Sequence, residues 1–208
     1  KPAETTAAPA AAETTAAAAD TTAAPEKSEA ETEAEAKDDA ASGDLIVVGY
    51  AQVGAESDWR TANTESFKST FTEENGYKLI FDDAQQKQEN QIKAIRSFIQ
   101  QDVDYIVVAP VVETGWEAVL QEAQEAGIPV ILSDRQMDVD ESLYECWVGG
   151  NFIKEGETAG NWLADYLKAQ GRDGEDINIV TLQGTIGASA QVGRTEGFAN
   201  ILAEHSNW

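Results

Sequence analysis

Cysteine and histidine, which serve in many catalytic and metal sites, are scarce in this chain. It has one Cys and one His, Cys146 and His205, so it forms no internal disulfide and shows no Cys/His metal-ligand spacing. The G-x-S-x-G and H-E-x-x-H patterns of hydrolases and metalloproteases are absent too. We therefore expect no enzyme activity, no metal and no cofactor. Cys146 is predicted to be a small buried residue, and His205 a surface residue of a helix.

Basic residues and long apolar runs are also scarce. Lys and Arg number 14 against 38 Asp and Glu, which gives a net charge of −24 at pH 7. A surface this acidic repels phosphate backbones and anionic lipids, which argues against nucleic acid and membrane surfaces as partners. No apolar run approaches the roughly 18–20 residues of a membrane span.

The first 43 residues contain no Val, Ile, Leu or aromatic residue. They are mostly Ala, Thr, Glu and Pro, which bury too little apolar surface to offset the entropy of ordering. We predict a disordered, low-complexity tether at residues 1–43. The chain has no signal peptide and does not begin with Met, so we expect a mature or trimmed segment.

Beyond the tether, four apolar runs each end in a burst of polar, charged or aromatic residues. The runs are IVVGYAQVGAESDWR (46–60), YIVVAPVVETGW (105–116), IPVILSDR (128–135) and INIVTLQGTIGAS (177–189). Ligands of open parallel sheets bind beyond the carboxyl ends of the strands. The polar ends of these runs therefore predict the position of the functional site.

Strand-like runs alternate with helical periodicity along residues 44–208. Strands are predicted at 44–50, 77–81, 103–110, 128–133, 147–150 and 177–182, and helices at 58–74, 86–101, 114–127, 151–170 and 191–205. Right-handed crossovers then predict an α/β fold, with a parallel sheet covered by helices on both faces. We expect an N-terminal lobe at 44–146 and a partial C-terminal lobe at 147–208. The second lobe is expected to be truncated, because its elements are too few to cover a sheet.

Two helices carry specific expectations about packing. In the helix at 86–101, four apolar residues form one stripe: Ile92, Ile95, Phe98 and Ile99. In the helix at 151–170, six residues are predicted to face inward: Ile153, Ala159, Trp162, Leu163, Tyr166 and Leu167.

Asp134 and Arg135 directly follow a strand that reads as buried. A carboxylate accepts hydrogen bonds from two hydroxyls, and a guanidinium donates several in a rigid fork. Side by side in a cleft, these two residues are suited to hold neighbouring hydroxyls of a polyol. The alternative is an Asp that caps a helix beside a solvated Arg.

Trp59 and Arg60 stand at the end of the first run. An indole face stacks on the C–H face of a sugar, and a Trp exposed in a cleft is typical of such sites. Glu56 and Ser57 are candidates for further hydrogen bonds to the same ligand. The alternative is that Trp59 packs in the first turn of the following helix.

Arg194 follows a Gly-rich loop between a predicted strand and a helix. Such a loop can cradle phosphate, but this one lacks the G-x-G-x-x-G and G-K-[ST] patterns, so a neutral ligand is favoured over a nucleotide. A solvent-facing Arg194 is the alternative. Two other features have alternatives. The polar cluster at 85–91 is either a solvated helix face, which we favour, or the rim of a cleft. Trp116 either lines the opening or packs under its helix.

Five segments are specific in combination: SDWR (57–60), DAQQKQENQIKAIRSFI (83–99), APVVETGWEAVL (109–120), IPVILSDR (128–135) and LQGTIGASAQVGR (182–194). Together they resemble the ribose/galactose-type sugar-binding proteins of bacterial ABC importers, which have the type I periplasmic-binding-protein fold. Within that family the likeness is greatest to galactofuranose-binding proteins. The resemblance covers about residues 45–205.

The resemblance implies two α/β lobes that close over one monosaccharide of galactofuranose type. It implies that Asp134 and Arg135 hold sugar hydroxyls from the first lobe and that Arg194 does so from the second. Trp59 and Arg60 occupy positions where family members place stacking and hydrogen-bonding groups. The implied partner is an ABC permease in the membrane, and the protein is expected to be a monomer.

The implied location is extracytoplasmic, either periplasmic or at the cell surface, since the tether resembles the stalk behind the lipid-modified Cys of bacterial lipoproteins. Two other functions remain as alternatives. The sugar-sensing core of a lac-repressor-type regulator shares this fold, but it would need a basic helix-turn-helix where the acidic tether stands. A carbohydrate-active enzyme would need an acid/base pair in the cleft, and Asp134 alone is not one.

Overall fold

The computed structural model describes residues 45–208, so the predicted tether at 1–43 lies outside the described residues. Its strands are β1 (Ile46–Gln52), β2 (Tyr77–Asp83), β3 (Tyr105–Val108), β4 (Val130–Ser133) and β5 (Cys146–Val148). Its helices are α1 (Asp58–Thr70), α2 (Gln88–Gln100), α3 (Glu117–Glu125), α4 (Phe152–Ala169) and α5 (Ser189–Leu202), with short 3-10 turns at Glu73–Asn75 and Glu141–Leu143. Within this range, no helix is both long enough and apolar enough to span a bilayer.

The five strands form one parallel sheet in the order β2-β1-β3-β4-β5. The predicted α/β fold with a parallel sheet is therefore confirmed. The strand order reverses between β1 and β3, and the crevice outside the carboxyl ends at such a reversal is where ligands of these sheets bind. The loops that follow β1, β3 and β4 all begin at this edge of the sheet.

Helices cover both faces of the sheet. On one face, Tyr50 of β1 stacks on Phe67 of α1, with ring centroids 4.1 Å apart. On the other face, Ile95 and Phe98 of α2 and Leu120 of α3 pack into the larger core. The predicted stripe of α2 is confirmed, since Ile92 and Ile99 pack against the same core.

Trp116 lies in this larger core and is fully buried, so it does not line an opening. Its indole N–H donates to the carbonyl of Val112 at 2.8 Å, which satisfies its one polar atom. Of the two alternatives that the sequence left open, packing beneath the helix is the one observed.

The polar cluster at 85–91 divides into an outer and an inner part. Most of its residues are exposed or half-buried, but Gln91 is fully buried. The Gln91 amide donates to the carbonyls of Ala51 and Ala109 and accepts from the N–H of Val111. The favoured prediction of a solvated face is therefore wrong for Gln91, whose amide joins the ends of β1 and β3 from within.

α4 and α5 pack so closely that glycine is required at the contact. A Cβ on Gly197 would overlap the carbonyl oxygen of Ile153, and one on Gly156 would overlap that of Arg194. α4 therefore presents Gly156, Gly160, Phe152 and Leu167 to its neighbours rather than its larger apolar residues.

The face predicted to turn inward on α4 is consequently wrong for most of its residues. Leu167 is buried, Leu163 is half-buried, and Ile153, Ala159, Trp162 and Tyr166 are exposed within the described chain. The prediction followed side-chain hydrophobicity, whereas the contact between these helices is decided by how near their backbones come.

The strand predicted at 177–182 is also wrong. This segment has no regular structure, and Val180 and Leu182 are 88% and 94% exposed. A strand is stable only when it hydrogen-bonds to a neighbour, and within residues 45–208 all five strands belong to the sheet described above. The segment has the apolar pattern of a strand, but residues 45–208 place no strand beside it.

Two smaller expectations need correction. Cys146 is exposed rather than buried, because it lies on β5 at the uncovered edge of the sheet. His205 lies beyond the end of α5 rather than on it, and its ring stacks on Trp208 with centroids 4.0 Å apart. The stacked pair accounts for the half-buried state of this imidazole.

Gly197→Ala tests the glycine contact between α4 and α5. Because the added methyl overlaps backbone rather than a flexible side chain, we expect it to lower the free energy of unfolding by about 1–3 kcal/mol in urea titrations. Gly174→Ala is the control, since nothing lies within 4 Å of the methyl that it adds. Equal unfolding midpoints for the two variants would contradict the steric argument.

Candidate functional site

All seven residues singled out from the sequence line one cavity of about 420 Å³: Glu56, Ser57, Trp59, Arg60, Asp134, Arg135 and Arg194. The loop after β1 and the start of α1 supply the first four, the loop after β4 supplies the next two, and α5 supplies the last. The cavity thus lies at the carboxyl edge of the sheet, where the strand order predicts a ligand site.

Arg60 is the centre of the charged groups in this cavity. Its side chain is only 2% exposed. Its Nη2 donates to Asp134 Oδ2 at 2.6 Å, and its Nε donates to Glu56 Oε1 at 3.1 Å. A buried guanidinium is stable only with such partners, so this residue fixes the loop after β4 against the start of α1.

Arg135 shares one of these carboxylates. Its Nη2 donates to Glu56 Oε1 at 3.2 Å, and its Nη1 lies 3.4 Å from the carbonyl oxygens of Pro110 and Val111. Burial lowers the pKa of the Arg135 guanidinium, and the nearby charge of Arg60 lowers it further. Glu56 therefore bridges two arginines that would otherwise repel each other.

Asp134 is held by its backbone as well as by its side chain. Its φ of +64° is left-handed, a conformation that Asp tolerates better than most residues. Its N–H donates to the carbonyl of Val148 at 2.7 Å, and its carbonyl accepts from the indole of Trp147 at 3.2 Å. Strand β5 thereby fixes the turn that aims this carboxylate at Arg60.

Trp59 and Ser57 stand at the mouth of the cavity. Trp59 is 58% exposed and lies over the Arg60 guanidinium, whose central carbon is 4.9 Å from the ring centroid. Its packing in the first turn, the alternative raised from the sequence, is therefore not observed. The Ser57 hydroxyl caps α1 by accepting from the N–H of Arg60 at 3.1 Å, so its oxygen has a structural role.

Two hydrogen bonds join the start of α5 to the loops that follow β3 and β4. The N–H of Gln136 donates to Ser189 Oγ, and the N–H of Glu113 donates to the carbonyl of Gly187, both at 2.9 Å. These contacts bring Arg194 of α5 to the cavity, where it lines the wall with Arg135.

Two buried polar atoms of the site have no protein partner within residues 45–208. They are Glu56 Oε2, an acceptor, and Arg60 Nη1, a donor. A buried polar atom left unpaired costs about 1–3 kcal/mol, so both atoms favour a ligand that supplies a donor and an acceptor. A hydroxyl group supplies both.

Sequence reasoning missed four residues that line the same cavity: Gly150, Phe152, Glu155 and Ala190. They lie at the crossover after β5, on the first turn of α4 and on α5, and no strand-end pattern marks them. A larger hollow of about 710 Å³ adjoins the site and shares Arg135, Glu155, Ala190 and Arg194 with it. We take the smaller cavity as the candidate site, because the buried ion pairs converge there.

The sequence profile of the periplasmic binding protein domain matches residues 46–208. The chain belongs to this periplasmic binding protein family. The resemblance seen in the sequence is thus confirmed, and so is the type I periplasmic-binding-protein fold.

Relatives within this family include binding proteins for furanose sugars. The chain is 50% identical over 163 residues to the galactofuranose-binding protein YtfQ of Escherichia coli K12, covering 78% of the chain and 49% of that protein. A crystal structure from Mycobacterium smegmatis in complex with β-D-fucofuranose has 52% identity and a TM-score of 0.73, covering 78% of this chain and 53% of that one.

A third relative is the binding protein of an arabinose ABC transporter from Shewanella sp. ANA-3, bound to α- and β-L-arabinofuranose. It has 49% identity and a TM-score of 0.70, over 77% of this chain and 51% of that one. The chain spans about half the length of the curated relatives that it matches.

Asp134→Asn tests how much the cavity depends on the Arg60–Asp134 ion pair. The amide keeps the shape and tolerates the left-handed backbone but removes the charge, so we expect the free energy of unfolding to fall by about 1.5–3 kcal/mol. Urea titration measures it. Asp138→Asn is the matched control, an exposed Asp four residues along the same loop, and it should change stability little. A loss of the same size in both variants would contradict the role given to the pair.

Proposed function

We propose that this protein is the extracytoplasmic solute-binding component of an ABC sugar importer. It binds a neutral monosaccharide, galactofuranose or a sugar like it, between an N-terminal lobe at 44–146 and a C-terminal lobe beginning at 147. The ligand is released unchanged to a permease in the membrane.

One observation carries the proposal: a buried donor and a buried acceptor remain unpaired among the ion pairs of the cavity. The charges there already neutralise one another, because three arginines face three carboxylates. A charged ligand would disturb that balance. An uncharged polyol does not, and its hydroxyls both donate and accept.

Each predicted site residue has a role in this proposal. From the first lobe, Asp134 accepts hydrogen bonds from sugar hydroxyls, and Arg60 and Arg135 donate hydrogen bonds to them. Glu56 accepts through its free oxygen, and the Ser57 hydroxyl donates at the rim. Trp59 stacks on the C–H face of the ring. Arg194 donates from the second lobe.

The ring form is inferred from the relatives. Those reported above carry galactofuranose, fucofuranose or arabinofuranose in their names, and each is about half identical to this chain. A furanose is therefore the ligand that we propose.

The relative from Shewanella favours an importer over a lac-repressor-type regulator, because it is the binding component of an ABC transporter. The geometry also argues against a carbohydrate-active enzyme. Glu56 and Asp134 are both engaged by arginines, so neither resembles the free acid and base that hydrolysis of a glycoside requires.

The mechanism that follows is closure around the ligand. A sugar that contacts both lobes stabilises the closed state by its differential contacts, and no covalent bond is made or broken. The protein is proposed to act as a monomer outside the cytoplasm, in the periplasm or held at the cell surface as a lipoprotein, and to dock on the permease when closed.

Isothermal titration calorimetry of the whole protein tests the proposal with the methyl furanosides of galactose and arabinose, methyl galactopyranoside and inositol, because a glycoside keeps one ring form in water. We expect one site that prefers the furanoses, and chromatography should recover the sugar unaltered. Trp59→Ala should weaken binding by about 3–10-fold through loss of stacking.

Trp162→Ala is the control for Trp59→Ala, because Trp162 is an exposed tryptophan of α4 that does not line the candidate cavity. It should leave affinity unchanged. Absence of binding to every sugar, or consumption of the sugar during the titration, would overturn the proposed function.

A further inference from the structure

Glu155 is the one carboxylate of the cavity that has no role in the proposed binding set. It lies in the first turn of α4, where negative charge is favoured by the helix dipole. Its Oε2 accepts from Arg194 Nε at 2.8 Å. Both side chains are about half-exposed, so the ion pair adds little to the stability of the fold.

The pair exists because of the close approach of α4 and α5. Gly156 lies against the backbone carbonyl of Arg194, and this contact places the preceding residue, Glu155, beside the arginine side chain. The guanidinium also lies over the ring of Phe152, with its central carbon 5.0 Å from the centroid. Glu155 thus holds the Nε edge of the Arg194 guanidinium, and Phe152 contacts its flat face.

The hydrogen bond to Glu155 uses only Nε of Arg194. Within residues 45–208, its two terminal nitrogens donate to no protein acceptor. Glu56 has the corresponding relation to Arg60 on the other side of the cavity, where it takes the Nε and leaves Nη1 unpaired. In both cases a glutamate accepts from the Nε of an arginine and leaves at least one terminal nitrogen without a protein partner.

We propose that Glu155 is a positioning residue for the sugar site: it fixes Arg194 so that the terminal nitrogens donate to the ligand, and it completes the charge balance that favours uncharged ligands. The inference rests on the proposed function. An arginine already held in place loses less side-chain freedom when the sugar binds, which raises affinity.

Calorimetry on Glu155→Ala, Arg194→Ala and the double variant tests the positioning role. We expect Glu155→Ala to weaken binding of the furanose by about 3–10-fold, the range set by immobilising one long side chain. The double variant should bind no more weakly than Arg194→Ala, because Glu155 acts through that arginine. Losses that multiply in the double variant would overturn the inference.

Glu157→Ala is the matched control. Glu157 lies on the same helix and pairs with Lys154 at 3.1 Å, but it does not line the cavity. Its loss should leave sugar affinity unchanged. Thermal unfolding midpoints of Glu155→Ala and Glu157→Ala should both fall only slightly, since the Glu155–Arg194 pair is exposed and Lys154, the partner of the half-buried Glu157, is exposed too.

The ratio of the affinities for a charged and an uncharged sugar would not change if Glu155 had only a structural role. Glu155→Gln leaves three arginines facing two carboxylates, so binding of galacturonate should improve relative to galactose in this variant. An unchanged ratio of the two affinities would overturn the inference. If the unaltered protein binds no sugar, the proposed function fails; if it binds sugar and Glu155→Ala binds equally well, only the positioning role fails.

Discussion

The buried guanidinium of Arg60 organises this site. Arg60 is almost inaccessible to water, and a guanidinium in that position is tolerable only when carboxylates surround it. One carboxylate comes from Glu56 in its own segment, and the other comes from Asp134, which is 74 residues away along the chain. The need to neutralise this charge therefore joins the segments that follow β1 and β4, and Arg135 enters through the oxygen that Glu56 shares.

A different constraint governs the other wall. Steric contact, rather than charge, sets the position of Arg194, because glycines let α4 and α5 approach until their backbones touch. The ion pair with Glu155 then adjusts a side chain whose backbone is already fixed. One wall of the cavity is thus built by electrostatics and the other by the absence of side chains, which leaves the two walls sensitive to different kinds of substitution.

Sequence patterns predicted the parts of this molecule that depend on chain-local information. Buried parallel strands read as continuous apolar runs, and the polar residues that follow them, such as Asp134 and Trp59, must lie at one edge of the sheet. The errors arose where a partner distant in sequence decides the outcome. Trp162 has the pattern of a core residue, but the glycine contact between α4 and α5 leaves it exposed. Gln91 has the pattern of a solvated residue, but it bonds to carbonyls of distant segments. Glu155 resembles any acid in a first helical turn, and only the fold shows that Arg194 lies beside it.

The backbone of Asp134 connects the cavity to the point where the chain leaves the sheet. Its N–H and carbonyl both bond to β5, and the crossing segment passes so near that a Cβ on Gly149 would overlap the same carbonyl. Any rotation of α4 and α5 about that crossing has its pivot next to the carboxylate. In the proposed closure, Asp134 would therefore lie near the axis of rotation and move less than Arg194, so that its hydrogen bond with Arg60 would persist.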